Sequence, residues 1–143
     1  MLVPDVNVFL NVINRASEQH LAAREWLESA GNGREPVGVP QVVLSGVVRI
    51  ATGSGMRESR RTPAEAFAFC DNIHQMPAYF PLQPGPGHWE HFRQVVFAAG
   101  VTGADVSDAY LAAFAIEHDA TFVSFDRGFA RFPGLKLFVP GAA

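Results

Sequence analysis

A chain of 143 residues is the size of one typical domain, long enough to bury roughly two-thirds of its unfolded surface. With 48% hydrophobic and 17% charged residues it is no disordered protein, and no apolar run approaches the roughly 18 residues needed to cross a bilayer. The net charge of −3 provides no polybasic tail, but ten of the eleven basic residues are arginine, the type suited to bidentate phosphate contacts, and local patches rather than net charge decide nucleic-acid binding.

Met1-Leu-Val-Pro reads as a short strand that stops at Asp5, and Asn7 is a plausible N-cap for a helix through Val8, Leu10, Val12 and Ile13. No basic segment precedes this run and Asp5 and Asn7 interrupt it, so no signal peptide is expected and a cytoplasmic location follows. Ser17 is the next cap candidate. His20, Leu21, Arg24, Trp26, Leu27 and Ala30 then recur with helical spacing until Gly31-Asn-Gly33 ends the segment. Residues 36–40 read as a buried strand, and Pro40 opens a helix over 41–52 that Gly53-Ser-Gly55 stops. Residues 56–61 form a polar, basic loop. Thr62-Pro63-Ala64-Glu65 combines an N-cap, a proline at the first helical position and a capping-box glutamate, starting a helix to about Met76 that carries the lone cysteine, Cys70, on its apolar face. A strand over 79–82, a Pro84-Gly-Pro-Gly87 loop and a helix over 88–99 closed by Gly100 follow. The last third holds a helix over 105–118, an apolar strand that delivers Asp126, a short arm over 127–132 and a final strand over 135–139.

Short strands rich in Val and Phe, alternating with helices and with no linker or repeat between them, predict one α/β domain over residues 1–143 with a mostly parallel sheet covered on both faces. In such sheets ligands bind beyond the strand C-terminal ends, where strand order reverses. Asp5 and Asp126 are both placed there.

Each acid has an ordinary explanation. Asp105 reads as the cap of its helix and Asp108 as an acid favoured by the helix dipole, Asp5 as a cap, and Asp126 as the opening of a turn. Asp108 fits that explanation least. Its helix is apolar almost all round and should be buried, so the carboxylate at its head faces protein and something must neutralise it. Three acids on converging ends need a cation or shifted pKa values, and a hard divalent ion, Mg²⁺ or Mn²⁺, is the economical answer. Arg49 and Arg127 lie near this proposed site, with Arg49 able to pair internally with the acids. Arg57, Arg60 and Arg61 form either an RNA-backbone patch or a solvated loop. No Ser/His/Asp or Cys/His arrangement is evident, and His88 and His91 read as packing residues.

Asp5-x-Asn7 after the first strand, Leu44-Ser45 before Arg49-Ile-Ala-Thr52, Asp108-Ala-x-Leu-Ala-Ala and Phe122-Val-Ser-Phe-Asp126-Arg-x-Phe129 together resemble the PIN-domain ribonucleases, specifically the VapC toxins of bacterial toxin–antitoxin pairs. The resemblance spans essentially the whole chain. It implies a three-layer α/β/α fold and Mg²⁺-dependent cleavage of RNA phosphodiester bonds. It places Asp5, Asp108 and Asp126 on the metal-site acids, with Asn7 and Ser124 on polar positions beside them, and it implies a homodimer and a small antitoxin that inserts a segment into the active-site groove. Two positions depart from the pattern: Gly46 stands where the family usually has a glutamate, and Gly128 where many relatives have a second acid. The expectation is therefore weak metal affinity before RNA arrives, with Asp105, water or the substrate phosphate completing the shell. The opposing reading is a PIN fold, catalytically weak or inactive, that binds RNA or protein. A phospho-acceptor receiver domain would need paired acids in the first loop and a lysine at a late strand end, and a dehalogenase-like phosphatase would need Asp-x-Asp where this chain has Asp5-x-Asn7.

Overall fold

The structure, a computed structural model, describes residues 1–142. Strands β1 (Leu2–Pro4), β2 (Val37–Pro40), β3 (Tyr79–Leu82), β4 (Thr121–Val123) and β5 (Lys136–Phe138) form a parallel sheet in the order β3-β2-β1-β4-β5. Helices α1 (Val6–Ile13), α2 (His20–Gly31), α3 (Gln41–Ala51), α4 (Pro63–His74), α5 (His88–Ala99) and α6 (Asp105–Glu117) supply the outer layers of a three-layer α/β/α fold. No helix of the described residues is long and apolar enough to cross a membrane.

Alternating side chains divide the interior in two. Val37 and Val39 of β2 join Phe9, Leu27, Val43, Val47, Cys70 and Ile73 from α1 to α4. On the other core, Val3 of β1 and Phe122 of β4 join Val95, Ala112, Phe114, Phe129 and Phe132. Burial of β-branched and aromatic residues on both faces is what a parallel sheet requires. Starting from β1, the chain steps outward through β2 and β3, returns, and steps the other way through β4 and β5. The reversal falls between β1 and β4.

Local signals account for most boundaries. Thr62 and Glu65 form the expected capping box, with Pro63 at the start of α4. At α1 one of the two expected cap candidates is used, and two other caps differ from expectation. Asp5, not Asn7, caps α1, its side chain accepting from the Val6 N–H, because the carboxylate falls one residue after the strand with extended backbone while Asn7 is already helical. Asp105 is the first helical residue of α6; the cap position is Ala104, itself in helical conformation and making no side-chain capping bond. Ser17 lies short of α2, and its hydroxyl accepts from the Gln19 N–H. Residues 54–59, expected as loop, make a 3₁₀ turn in which Arg57 takes a left-handed φ of 52°.

Gly46 is buried on the α3 face that meets α1. A Cβ there would stand 3.0 Å from Cγ2 of Val6, a β-branched side chain with little rotamer freedom. Val6 thus fills the space that a glutamate at this position would cross. Gly46→Glu is expected to lower stability by about 1–2 kcal/mol, overpacking outweighing the gain in helix propensity. Val6→Ala in the same chain should relieve it, so that urea unfolding gives a double mutant more stable than the summed single losses by at least about 0.5 kcal/mol.

Candidate active site

Beyond β1 the ladder runs one residue further: the Asp5 N–H donates to the Val123 carbonyl at 2.8 Å, which fixes the Asp5 backbone against the end of β4. The carboxylate is 7% exposed. Its Oδ1 accepts from the Val6 N–H at 2.7 Å and its Oδ2 from the Ser124 hydroxyl at 2.7 Å. That hydroxyl is fully buried and accepts in turn from Asn7 Nδ2 and from the Asp126 N–H, both at 3.0 Å. Asn7 Oδ1 accepts from the Phe125 N–H at 3.2 Å, and Asp126 Oδ1 from the Gly128 N–H at 2.8 Å, opening the 3₁₀ turn Arg127–Arg131. One serine hydroxyl therefore joins the two aspartates that follow β1 and β4.

The third acid comes from α6. Asp108 is half-buried, and its Oδ2 accepts from Arg131 Nη2 at 3.0 Å, while Asp105 Oδ1 lies 3.6 Å from the same nitrogen. Arg131 also donates from Nη1 to the Gly128 carbonyl at 2.6 Å, and its guanidinium carbon sits 4.4 Å from the Phe132 ring centroid. Sequence reading did not single out Arg131. The demand that something neutralise Asp108 pointed to such a partner, but the pairing joins residues 23 apart across two elements.

The acids act on one another. Asp5 is pushed up from 3.8 to about 6, first by burial; the Ser124 and Val6 hydrogen bonds oppose the rise, and the charges of Asp108 and Asp126 add to it. Asp108 is also raised, first by burial, against the hydrogen bond and charge of Arg131, with Asp126 and Asp105 adding to the rise. As they stand, no three His, Cys, Asp or Glu side chains among the described residues converge closely enough to hold an ion.

The arginines separate by role. Arg49 is exposed and, among the described residues, pairs with none of the site acids; that contact belongs to Arg131. Position 49 lies on the α3 side facing Phe67, Cys70 and His74, where it lines a cleft between α3 and α4. Arg60 Nε donates to the Thr52 carbonyl, and Arg61 donates to the carbonyls of Ser59 and Ile13, so these two side chains tie their turn to the ends of α3 and α1. Arg57 and Arg127 are exposed, Arg127 directly after Asp126. His88 is buried, its ring 3.0 Å from the Tyr110 carbonyl and packed on Phe114.

A parallel α/β domain with carboxylates at its switch point has them where such sheets place their ligand crevice. The family model described as PIN domain matches residues 2–135, and the chain belongs to that family, among its VapC members. It is 39% identical over 136 residues to ribonuclease VapC43 of Mycobacterium tuberculosis, covering 95% of this chain and 92% of that one. It is 33% identical over 140 residues to ribonuclease VapC25 of the same organism, covering 98% and 99%. A chain in the crystal structure of VapBC2 from Rickettsia felis, bound to a promoter DNA fragment, superposes with a TM-score of 0.72 at 15% identity, covering 97% of this chain and 98% of that one.

Two outcomes test the site. Ser124→Ala leaves the Asp5 carboxylate, the Asn7 amide and the Asp126 N–H each short of a partner, and should lower stability on the order of 3 kcal/mol in chemical denaturation. Asp5 gives a pH dependence of definite sign. Its folded-state pKa lies above the unfolded value, so stability is lost as pH rises from about 4 to about 6. With EDTA present, wild type should lose about 2 kcal/mol more than Asp5→Asn between pH 4.5 and 7.5. The donor that asparagine leaves unmatched toward Ser124 or Val6 costs the same at both pH values and drops out of that difference.

Proposed function

We propose that this chain is a metal-dependent ribonuclease that hydrolyses RNA phosphodiester bonds and forms the toxin half of a pair with a small cognate antitoxin. The observation that carries the reading is the junction of Asp5, Ser124 and Asp126 at the switch point with Asp108 facing it, in a chain whose curated relatives are named VapC ribonucleases. The solved VapBC complex supports an antitoxin partner. A homodimer is part of the same proposal and rests on the family resemblance.

The donor set suits Mg²⁺ or Mn²⁺. All of its atoms are hard oxygens, and Asp126 Oδ2 and Asp108 Oδ1 accept no hydrogen bond among the described residues. Asp5, Asp108 and Asp126 would hold the ion, with Asp105 at the rim. When bound, it supplies a Lewis acid that acidifies a water and offsets charge developing on the phosphate. The chain's own groups do the rest. Ser124 and Asn7 fix the orientation of Asp5 and of the turn bearing Asp126, so these two segments keep a set relation to each other. The oxygen of Asp108 that Arg131 leaves free would orient the attacking water. Arg127, Arg57 and the exposed parts of Arg60 and Arg61 offer cationic contacts for the RNA backbone.

Purified protein should cleave RNA with Mg²⁺ or Mn²⁺ and stop with EDTA, and Asp108→Asn should lower the rate by about 10²-fold or more. Equal cleavage by wild type and Asp108→Asn would end the nuclease reading in favour of a binding module.

A further inference from the structure

Among the described residues, Arg131 is the only cationic side chain within 4 Å of Asp105, Asp108 or Asp126. Its position is fixed from several sides. Nη1 is held by the Gly128 carbonyl at 2.6 Å, Nη2 by Asp108 at 3.0 Å, and the guanidinium plane by Phe132. The open Cα of Gly128 leaves room for it: a Cβ there would stand 3.1 Å from Arg131 Nη1 and 2.9 Å from Asp126 Oδ1, and both side-chain ends would have to shift. Any side chain at the position where the family pattern has a second acid would meet the guanidinium.

We infer that Arg131 is an internal cation that competes with the divalent ion for Asp108, holding the site paired in the metal-free protein and lowering its affinity for metal. The inference rests on the metal-site reading above and assigns the expected weak affinity to a residue. An incoming ion must either take Asp108 from the guanidinium or share it with a like charge a few ångströms away; either way its binding is weakened. The Arg131 and Asp108 side chains are 31% and 32% exposed, so water screens the pair and the competition is moderate: a displaceable contact, not a lock. Coupling is reciprocal, so metal must loosen Arg131 by the factor by which Arg131 weakens metal. Asp105, 63% exposed and 3.6 Å from the same nitrogen, is where the released guanidinium can stay.

The test is calorimetric titration of Mn²⁺ into wild type, Arg131→Met and Arg131→Lys, with thermal unfolding in EDTA as the control for folding. Arg131→Met keeps an apolar stem against Phe132 and removes the charge, and should bind Mn²⁺ about fivefold tighter or more, with Arg131→Lys between it and wild type. Equal or weaker binding by Arg131→Met, with wild type binding measurably, overturns the competition and leaves the metal site standing. No Mn²⁺ binding by any of the three overturns the metal reading and the competition with it. A second measurement needs no variant. In wild type, the Arg131 side-chain NMR signals should report a guanidinium with restricted rotation whose shifts and exchange change as Mg²⁺ saturates and Asp108 is drawn toward the ion, and signals unchanged at saturating Mg²⁺ overturn the proposal.

Discussion

Everything at the strand ends depends on β1 and β4 lying side by side in parallel with no crossover between them. Sequential strands would have brought a connecting helix over this edge; the reversal of strand order leaves a crevice instead. The ladder continues through the Asp5 N–H to the Val123 carbonyl, so the first acid has its backbone fixed by the sheet before its side chain is considered. The Ser124 hydroxyl then uses its donor on Asp5 and accepts twice, from Asn7 and from the Asp126 N–H. Because β4 places Ser124 one residue beyond its last paired position, a single buried hydroxyl sets the relation between two segments more than a hundred residues apart.

The electrostatic balance of this arrangement can be read from which effects prevail. At Asp5, two strong hydrogen bonds favour the charged form, yet burial and the neighbouring acids outweigh them and the group rises to about 6. At Asp108 a guanidinium in direct contact also fails to restore the ordinary value. At both acids burial is the largest effect, and the hydrogen bonds and the guanidinium only partly oppose it. A site tuned only for stability would pair these acids fully or replace them, since uncompensated buried charge is destabilising. The cation proposed above would account for their retention.

Much of this was legible in the sequence. Short β-branched and aromatic runs, the Thr62-Pro63-Glu65 start and Asp5 and Asp126 after apolar strands gave the alternation, the parallel sheet and the crevice, because those signals act within a few residues of where they are read. Caps were less legible. Asn7 and Asp105 are both capping residue types, but β1 releases the backbone at Asp5, so of the two candidates there Asp5 caps α1, and the cap position of α6 falls one residue before Asp105, at Ala104, after the loop that follows α5. The arginines were least legible. Arg49 and Arg131 look alike in sequence, each flanked by apolar residues; in the fold the turn bearing Arg131 brings it to Asp108, while Arg49 lines a cleft between α3 and α4. Likewise Arg60 and Arg61 look like a phosphate patch by charge alone, and their hydrogen bonds to carbonyls of α1, α3 and their own turn appear only in three dimensions.

The two glycines that break the family pattern are not equivalent losses of a ligand. At Gly46 the missing acid is a matter of space: Val6, the residue directly after Asp5, packs into the volume a side chain would need, and the contact belongs to the α1–α3 interface. At Gly128 it is a matter of charge: the open Cα lets the Arg131 fork reach the Gly128 carbonyl and Asp108 together, putting a cation where a second anion would otherwise be. An acid restored at Gly46 would meet a hydrocarbon wall, whereas one restored at Gly128 would meet a guanidinium and the Asp126 carboxylate. Neither position can be altered alone without disturbing its neighbour. The departures are thus compensated locally, and the site that results has fewer acids, a resident positive charge and the same serine-held junction at its centre.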